Sequence, residues 1–144
     1  MSDGNGSPAR PPATGAAPPD ATLPARLRLK TQRQFRAVYQ RGGRAGGAWL
    51  TVVAWPRHDP TPGGPRVGLS VSKDHGGAVR RNKLKRILRE AFRLERHRLP
   101  QQLDVVLIPK VRLEDRLPLA DVRDELRRLI PKALSRPPRR RPGQ

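Results

Sequence analysis

Nine basic residues and only two acidic ones lie between Arg80 and Arg98, and their spacing is helical. At 3.6 residues per turn, Leu84, Ile87, Leu88, Ala91 and Leu94 share one side, and Asn82, Lys85, Arg86, Arg89, Arg93 and Arg96 share the other. A solvated helix face usually mixes signs, so that Glu pairs with Lys or Arg one turn away. This one carries almost a single sign. The chemistry open to such a stripe is phosphate binding, because a guanidinium donates two parallel hydrogen bonds to phosphate oxygens. The other reading of the same residues is a charged face turned to water. The one-sided sign, the embedded Asn82 and the charge of the whole chain favour a nucleic acid. Spacing does not separate RNA from DNA.

The whole chain repeats the signal. Its 144 residues include 31 Lys and Arg against 12 Asp and Glu, a net charge of +19. A compact body so charged repels itself, and a polyanion that exchanges its counterions for these cations accounts for the excess. No broad bulky-apolar helix face and no lipidation signal points to a membrane surface instead. Cysteine is absent, which excludes thiolate nucleophiles, disulfides and cysteine-based zinc sites. His58, His75 and His97 form no ligand-spaced pair, and Asp121, Asp124 and Glu125 read as solvated surface of a helix. A nuclease acting alone needs paired carboxylates for metal, or a positioned acid and base. No catalytic residue and no metal ligand is therefore assigned. No signal-peptide layout and no membrane-length apolar run is seen, so a cytoplasmic protein without a membrane partner is expected.

The elements that must position the stripe follow from pattern. Residues 1–25, rich in Pro, Ala and Gly, read as a disordered extension, and 136–144 as a basic Arg/Pro tail. The folded body is expected over 26–135. Thr31 and Gln34 have capping-box spacing, Phe35, Val38 and Tyr39 follow as one apolar stripe, and Gly42-Gly43 stops the helix. Strands are expected at 49–55, 66–73 and 103–108, with a Pro/Gly turn at 58–65. A last amphipathic helix spans 119–134, with Pro131 expected to end or kink it near Ile130.

Aromatics are few. Phe35 and Tyr39 stand one turn apart, where they either fill a core or offer stacking surfaces to unpaired bases. Trp49, Trp55 and Phe92 read as packing residues. Ser70 and Ser72 alternate with buried valines, and either line a cleft or are plain surface hydroxyls.

The run from Arg66 to Lys73, then Gly77 to Val79, Arg81 to Arg86 and Arg89 to Arg93, resembles the signature of the bacterial ribonuclease P protein family. Arg28-Leu29, the segment Phe35 to Tyr39, Gly42, Leu99-Pro100 and Asp104 to Ile108 extend the likeness over about residues 27–135. Lys83 departs from it, standing where the family has a second Arg, so charge is kept and the planar fork is lost. Asp74 and His75 fall in a loop that is usually more basic.

The resemblance implies an α+β fold, a single-domain α/β sandwich in the order α-β-β-β-α-β-α, with a left-handed β-α-β crossover carrying the basic helix. It implies that Lys73, Arg81, Asn82, Lys85, Arg86, Arg89 and Arg93 face a catalytic RNA, ribonuclease P RNA. Phe35, Tyr39, Ser70 and Ser72 would line a cleft for the single-stranded 5′ leader of precursor tRNA. The RNA would carry out the hydrolysis and hold most of the Mg²⁺, and no protein partner would be required. A ribosomal or ribosome-assembly protein would share the charge, size and make-up, but not the long motif.

Overall fold

The computed structural model describes residues 23–57, 64–100, 102–110 and 117–136. The extension before Leu23, most of the turn after Arg57 and the Arg/Pro tail beyond Arg136 lie outside the described residues. Among the described residues, three α-helices and four strands follow one another as α1 (Gln32–Arg41), β1 (Gly43–Gly46), β2 (Leu50–Pro56), β3 (Arg66–Leu69), α2 (Ala78–Glu95), β4 (Leu103–Pro109) and α3 (Leu119–Leu134). The order is the expected one. The strands form one sheet, β1-β2-β4-β3, in which β3 and β4 are parallel neighbours joined through α2 and the other pairs are antiparallel.

Alternation sorts the side chains to the two faces of this sheet. Leu50, Val52 and Ala54 of β2 and Leu103, Val105 and Leu107 of β4 face α2 and α3. There they pack with Leu84, Leu88, Ala91, Phe92, Val122, Leu126, Leu129 and Ile130. Val53 and Val106 face the other way, against Val38 of α1 and Leu29, with Phe35, Tyr39, Trp55 and Ile108 around them. Phe92 is buried, as expected. Leu23 and Leu27 are also buried in the larger core, so the packed body includes Leu23, ahead of the expected start at 26.

Local chemistry explains most boundaries. The capping box forms: Thr31 Oγ1 accepts from the Gln34 N–H at 3.1 Å, and Gln34 Oε1 accepts from the Thr31 N–H at 3.1 Å. Gly42 and Gly43 do end α1, but Gly43 also begins β1, a strand of composition Gly-Arg-Ala-Gly that the sequence pattern does not show. Close approach demands glycine here. A Cβ on Gly43 would come within 2.1 Å of the Ala133 carbonyl oxygen. The third strand is shorter than the expected 66–73, because the chain leaves the sheet edge after Ser70, whose N–H donates to the Leu107 carbonyl. Helix α3 runs through Pro131 to Leu134 without ending at Ile130. Pro131 is exposed, while Ile130 and Ala133 on either side are buried in the core and hold the last turn in place.

Glu125 corrects the reading of the α3 acids as surface. It is buried, and its carboxylate accepts from the backbone N–H groups of Ala48 at 2.6 Å, Trp49 at 3.0 Å and Leu50 at 3.1 Å. The β1–β2 turn is thus tied to α3 by one anion, with Gly47 beside it because a Cβ there would sit 2.6 Å from the carboxylate. Asp121 and Asp124 are exposed, as expected.

Candidate nucleic-acid interface

Two cavities meet at the side chain of Phe35. One, of 240 Å³, lies between the segment 28–30, the β3 edge and α2. It is lined by Arg28, Leu29, Lys30, Phe35, Val67, Leu69, Lys85 and Arg89. The other, of 430 Å³, runs along the outside of α1 past Lys30, Gln32, Phe35, Arg36, Tyr39 and Gln40. Together they make a groove with an apolar floor and five cations on its walls. Among the described residues, no acidic side chain lines either cavity.

Each wall follows from sequence. Leu29 is buried and its N–H donates to the Val67 carbonyl at 2.8 Å, adding a short parallel segment to the edge of β3. In an extended segment neighbours point to opposite sides, so burying Leu29 turns Arg28 and Lys30 toward the groove. Phe35 descends onto β3 because residue 68 is glycine; a Cβ there would meet the phenyl carbons at 2.7 Å. Tyr39 stands beside it, ring centroids 6.4 Å apart and tilted by 37°, and Arg44 covers the tyrosine ring at 5.6 Å. Phe35 and Tyr39 are therefore core packing and groove lining at once: they border the smaller apolar cluster and remain half-exposed. Lys85 and Arg89 complete the wall from α2, one turn apart.

The electrostatics of this groove favour an anion over a cation. Burial, and then the neighbouring positive charge of Arg28, push the Arg89 guanidinium below its usual pKa, although a guanidinium stays charged at neutral pH. Two like charges held together in a partly desolvated cleft are relieved by a phosphate placed between them. Nearer the start of α2, the Nε of Arg81 is shielded from water and finds no hydrogen-bond partner among the described residues. That first turn has neither a side-chain cap nor an acidic residue, so its backbone N–H groups also present positive potential.

The structure gathers only part of the expected set. Lys85 and Arg89 join Phe35 in one cavity, whereas Asn82 and Arg86 lie exposed on α2 outside both cavities. Arg93 is engaged within its own helix. Its Nε and Nη2 donate to Glu90 at 2.9 and 2.8 Å, and that hydrogen bond raises its pKa against the opposing effect of burial. The helix thus has a mixed-sign pair that the stripe does not suggest. Lys73, in the short 3-10 turn Lys73–His75, and Ser72 are exposed; Ser70 is half-buried; none of the three lines either cavity. His75 is buried. Arg28, Lys30 and Arg36 are not among the site residues named from sequence, although the basic-apolar-basic alternation at 28–30 carries the signal for the first two.

Among the described residues no group of three or more His, Cys, Asp or Glu is placed to hold a metal ion. No helix among them is long and apolar enough to cross a membrane.

Comparison with known proteins decides the family. The family model described as Ribonuclease P matches residues 23–134. The chain belongs to the ribonuclease P protein family. The ribonuclease P protein component of Chlamydia abortus is 42% identical over 90 residues, which are 62% of this chain and 63% of that protein, so the chain spans just under two thirds of this relative's length. The ribonuclease P protein component of Chlamydia felis is 34% identical over 114 residues, 79% of this chain and 78% of the relative. In three dimensions the chain is similar to the RNase P protein of Thermotoga maritima, with a TM-score of 0.60 and 31% identity over 70% of this chain and 92% of that one. It is also similar to the RNase P protein of Staphylococcus aureus, with a TM-score of 0.63 and 25% identity over 76% and 98% of the two chains. The ribonuclease P family thus accounts for both the basic α2 motif and the α+β sheet that carries it.

Proposed function

We propose that this chain is the RNA-binding protein subunit of a ribonuclease P ribonucleoprotein, assisting removal of the 5′ leader from precursor tRNA. The observation that carries the reading is the acid-free groove in which Lys85 and Arg89 of α2 and Arg28 face the ring of Phe35. Cations along a groove track a sugar–phosphate backbone, and an aromatic floor accepts unpaired bases without demanding a sequence. Single-stranded RNA offers both; a duplex buries its bases.

The division of labour follows from what the chain supplies. Its residues bind and orient: the groove takes the leader, and Arg81, Asn82 and Arg86 of α2, with Lys73, face the catalytic RNA. Positive charge between two polyanions lowers their mutual repulsion. In this reading the RNA carries out the phosphodiester hydrolysis and holds the Mg²⁺ that activates water. The protein contributes no acid, base or nucleophile.

Tyr39 gives the test. Tyr39→Ala in the reconstituted ribonucleoprotein should weaken binding of a precursor with a 5′ leader by about 1–3 kcal/mol, the worth of one stacked base. Binding of mature tRNA, which has no leader, should hardly change. The measurement is the ratio of the two affinities with and without the ring. A stably folded variant with an unchanged ratio would remove Tyr39 from the site, and a loss shared by both RNAs with early melting would make the ring a packing residue.

A further inference from the structure

We propose that Arg98, Arg123 and Arg127, gathered by the buried carboxylate of Glu95, form a second docking point for an RNA phosphate backbone, on the α2/α3 side and apart from the groove. The proposal rests on the reading of the chain as an RNA-binding subunit. Glu95 is the last residue of α2, and its side chain is only 1% exposed. Arg123 Nε lies 2.6 Å from its Oε2, Arg127 Nε 3.0 Å from its Oε1, and Arg98 Nε 3.7 Å from the same Oε1. Burial alone would raise the Glu95 pKa, but the hydrogen bonds from Arg123 and Arg127, with their charges, bring it below the usual glutamate range. The carboxylate is therefore ionised at neutral pH, and it balances one of three cations.

The surplus is what needs explaining. Closing α2 against α3 does not require it, since Leu88, Ala91 and Phe92 already pack with Val122 and Leu126 in the same core. One arginine would neutralise Glu95. Here three converge on it through Nε, and the side chains of Arg98, Arg123 and Arg127 are still 57%, 31% and 43% exposed. With Nε engaged by Glu95, each guanidinium keeps its Nη pair for a further acceptor, and such a pair matches two phosphate oxygens. No other acceptor is seen for these three among the described residues.

Fixing long side chains in advance removes much of the ordering cost of binding. Arg123 and Arg127 are one helical turn apart on α3, a spacing suited to successive phosphates of one strand. The nearby acids do not cancel the charge: Asp124 is paired with Arg128 at 3.4 Å, and setting Glu95 and Asp121 against the three arginines still leaves a positive surplus. The face is separate from the groove, because Glu95 turns toward α3 while Lys85 and Arg89 turn toward Arg28 and β3.

The test uses the full chain and two RNAs measured separately, transcribed ribonuclease P RNA and a precursor tRNA. In the variant Arg98→Gln/Arg127→Gln, the slope of log affinity against log salt should become shallower by roughly 1.5–2, with affinity about tenfold weaker at low salt. The RNA that shows the change is the one that docks here. Unchanged slopes with both RNAs would overturn the proposal. Should this variant melt early, Arg98→Gln alone, which leaves the Arg123 and Arg127 hydrogen bonds intact, should lower the slope by about one, and no change would overturn the proposal equally. Wild-type protein that binds neither RNA would instead refute the RNA-binding role on which the triad depends.

Discussion

Asp104→Ala is expected to destabilise the protein by about 3–5 kcal/mol, a large part of the ~5–15 kcal/mol that holds a domain of this size together. Asp104 lies in the middle of the sheet on β4, with its side chain 2% exposed. Arg57 Nε approaches its Oδ1 at 3.0 Å, and Arg66 donates through Nε at 2.9 Å and through Nη2 at 2.8 Å. Removing the carboxylate takes from two guanidiniums, one of them 1% exposed, the buried acceptor they share. Arg66 is also the first residue of β3 and pairs in register with Asp104, so the edge strand under Phe35 loosens with it. Chemical denaturation of the purified chain reads the loss directly. A variant within about 1 kcal/mol of wild type would show that the arginines find other support.

The second large effect belongs to binding. Lys85→Ala/Arg89→Ala should weaken affinity for the RNA partner about tenfold at low salt and make the salt slope shallower by roughly 1.5–2, one increment for each phosphate no longer neutralised. The fold should survive, because both residues are half-exposed and neither has an acidic partner among the described residues. Removing Arg89 also relieves its repulsion with Arg28 and its partial burial, so the melting temperature should hold or rise slightly. Lower thermal stability with unchanged RNA binding would mean that these side chains support the fold and do not line a site.

Much of the fold was legible because local and tertiary signals agree. Thr31 and Gln34 form the capping box their spacing implies, and the apolar side of 84–91 is the side that packs on the sheet. Where the signals part, pattern failed for identifiable reasons. Strand β1 contains no β-branched or aromatic residue; it exists because β2 offers a ladder and because glycine permits close approach to the end of α3. Pro131 carries a helix-breaking signal that packing of its neighbours overrides.

Of the α3 acids only Glu125 departs from its surface reading, which follows its residue type and overlooks its position on the stripe. Glu125 sits three residues after Val122 and four before Leu129, on the buried stripe of α3, and Glu95 follows Ala91 and Phe92 in the same way. A glutamate on an apolar stripe is a sign of buried acceptance, here of backbone N–H groups and of guanidiniums. Lys85 and Arg89, the α2 wall of the candidate groove, are legible in the motif. The other half, Arg28 and Lys30, depends on the N-terminal segment lying along the β3 edge, a long-range pairing of which the alternation at 28–30 is only a local trace.

The most direct measurement of the central claim is 5′ cleavage of a precursor tRNA at low Mg²⁺ by transcribed ribonuclease P RNA, with and without the purified chain. The protein should raise correct cleavage sharply when the RNA is present and produce no mature 5′ end without it at any Mg²⁺ concentration. RNA-free protein that cleaves the precursor, or a ribonuclease P RNA whose low-Mg²⁺ activity the protein leaves unchanged, would contradict the account.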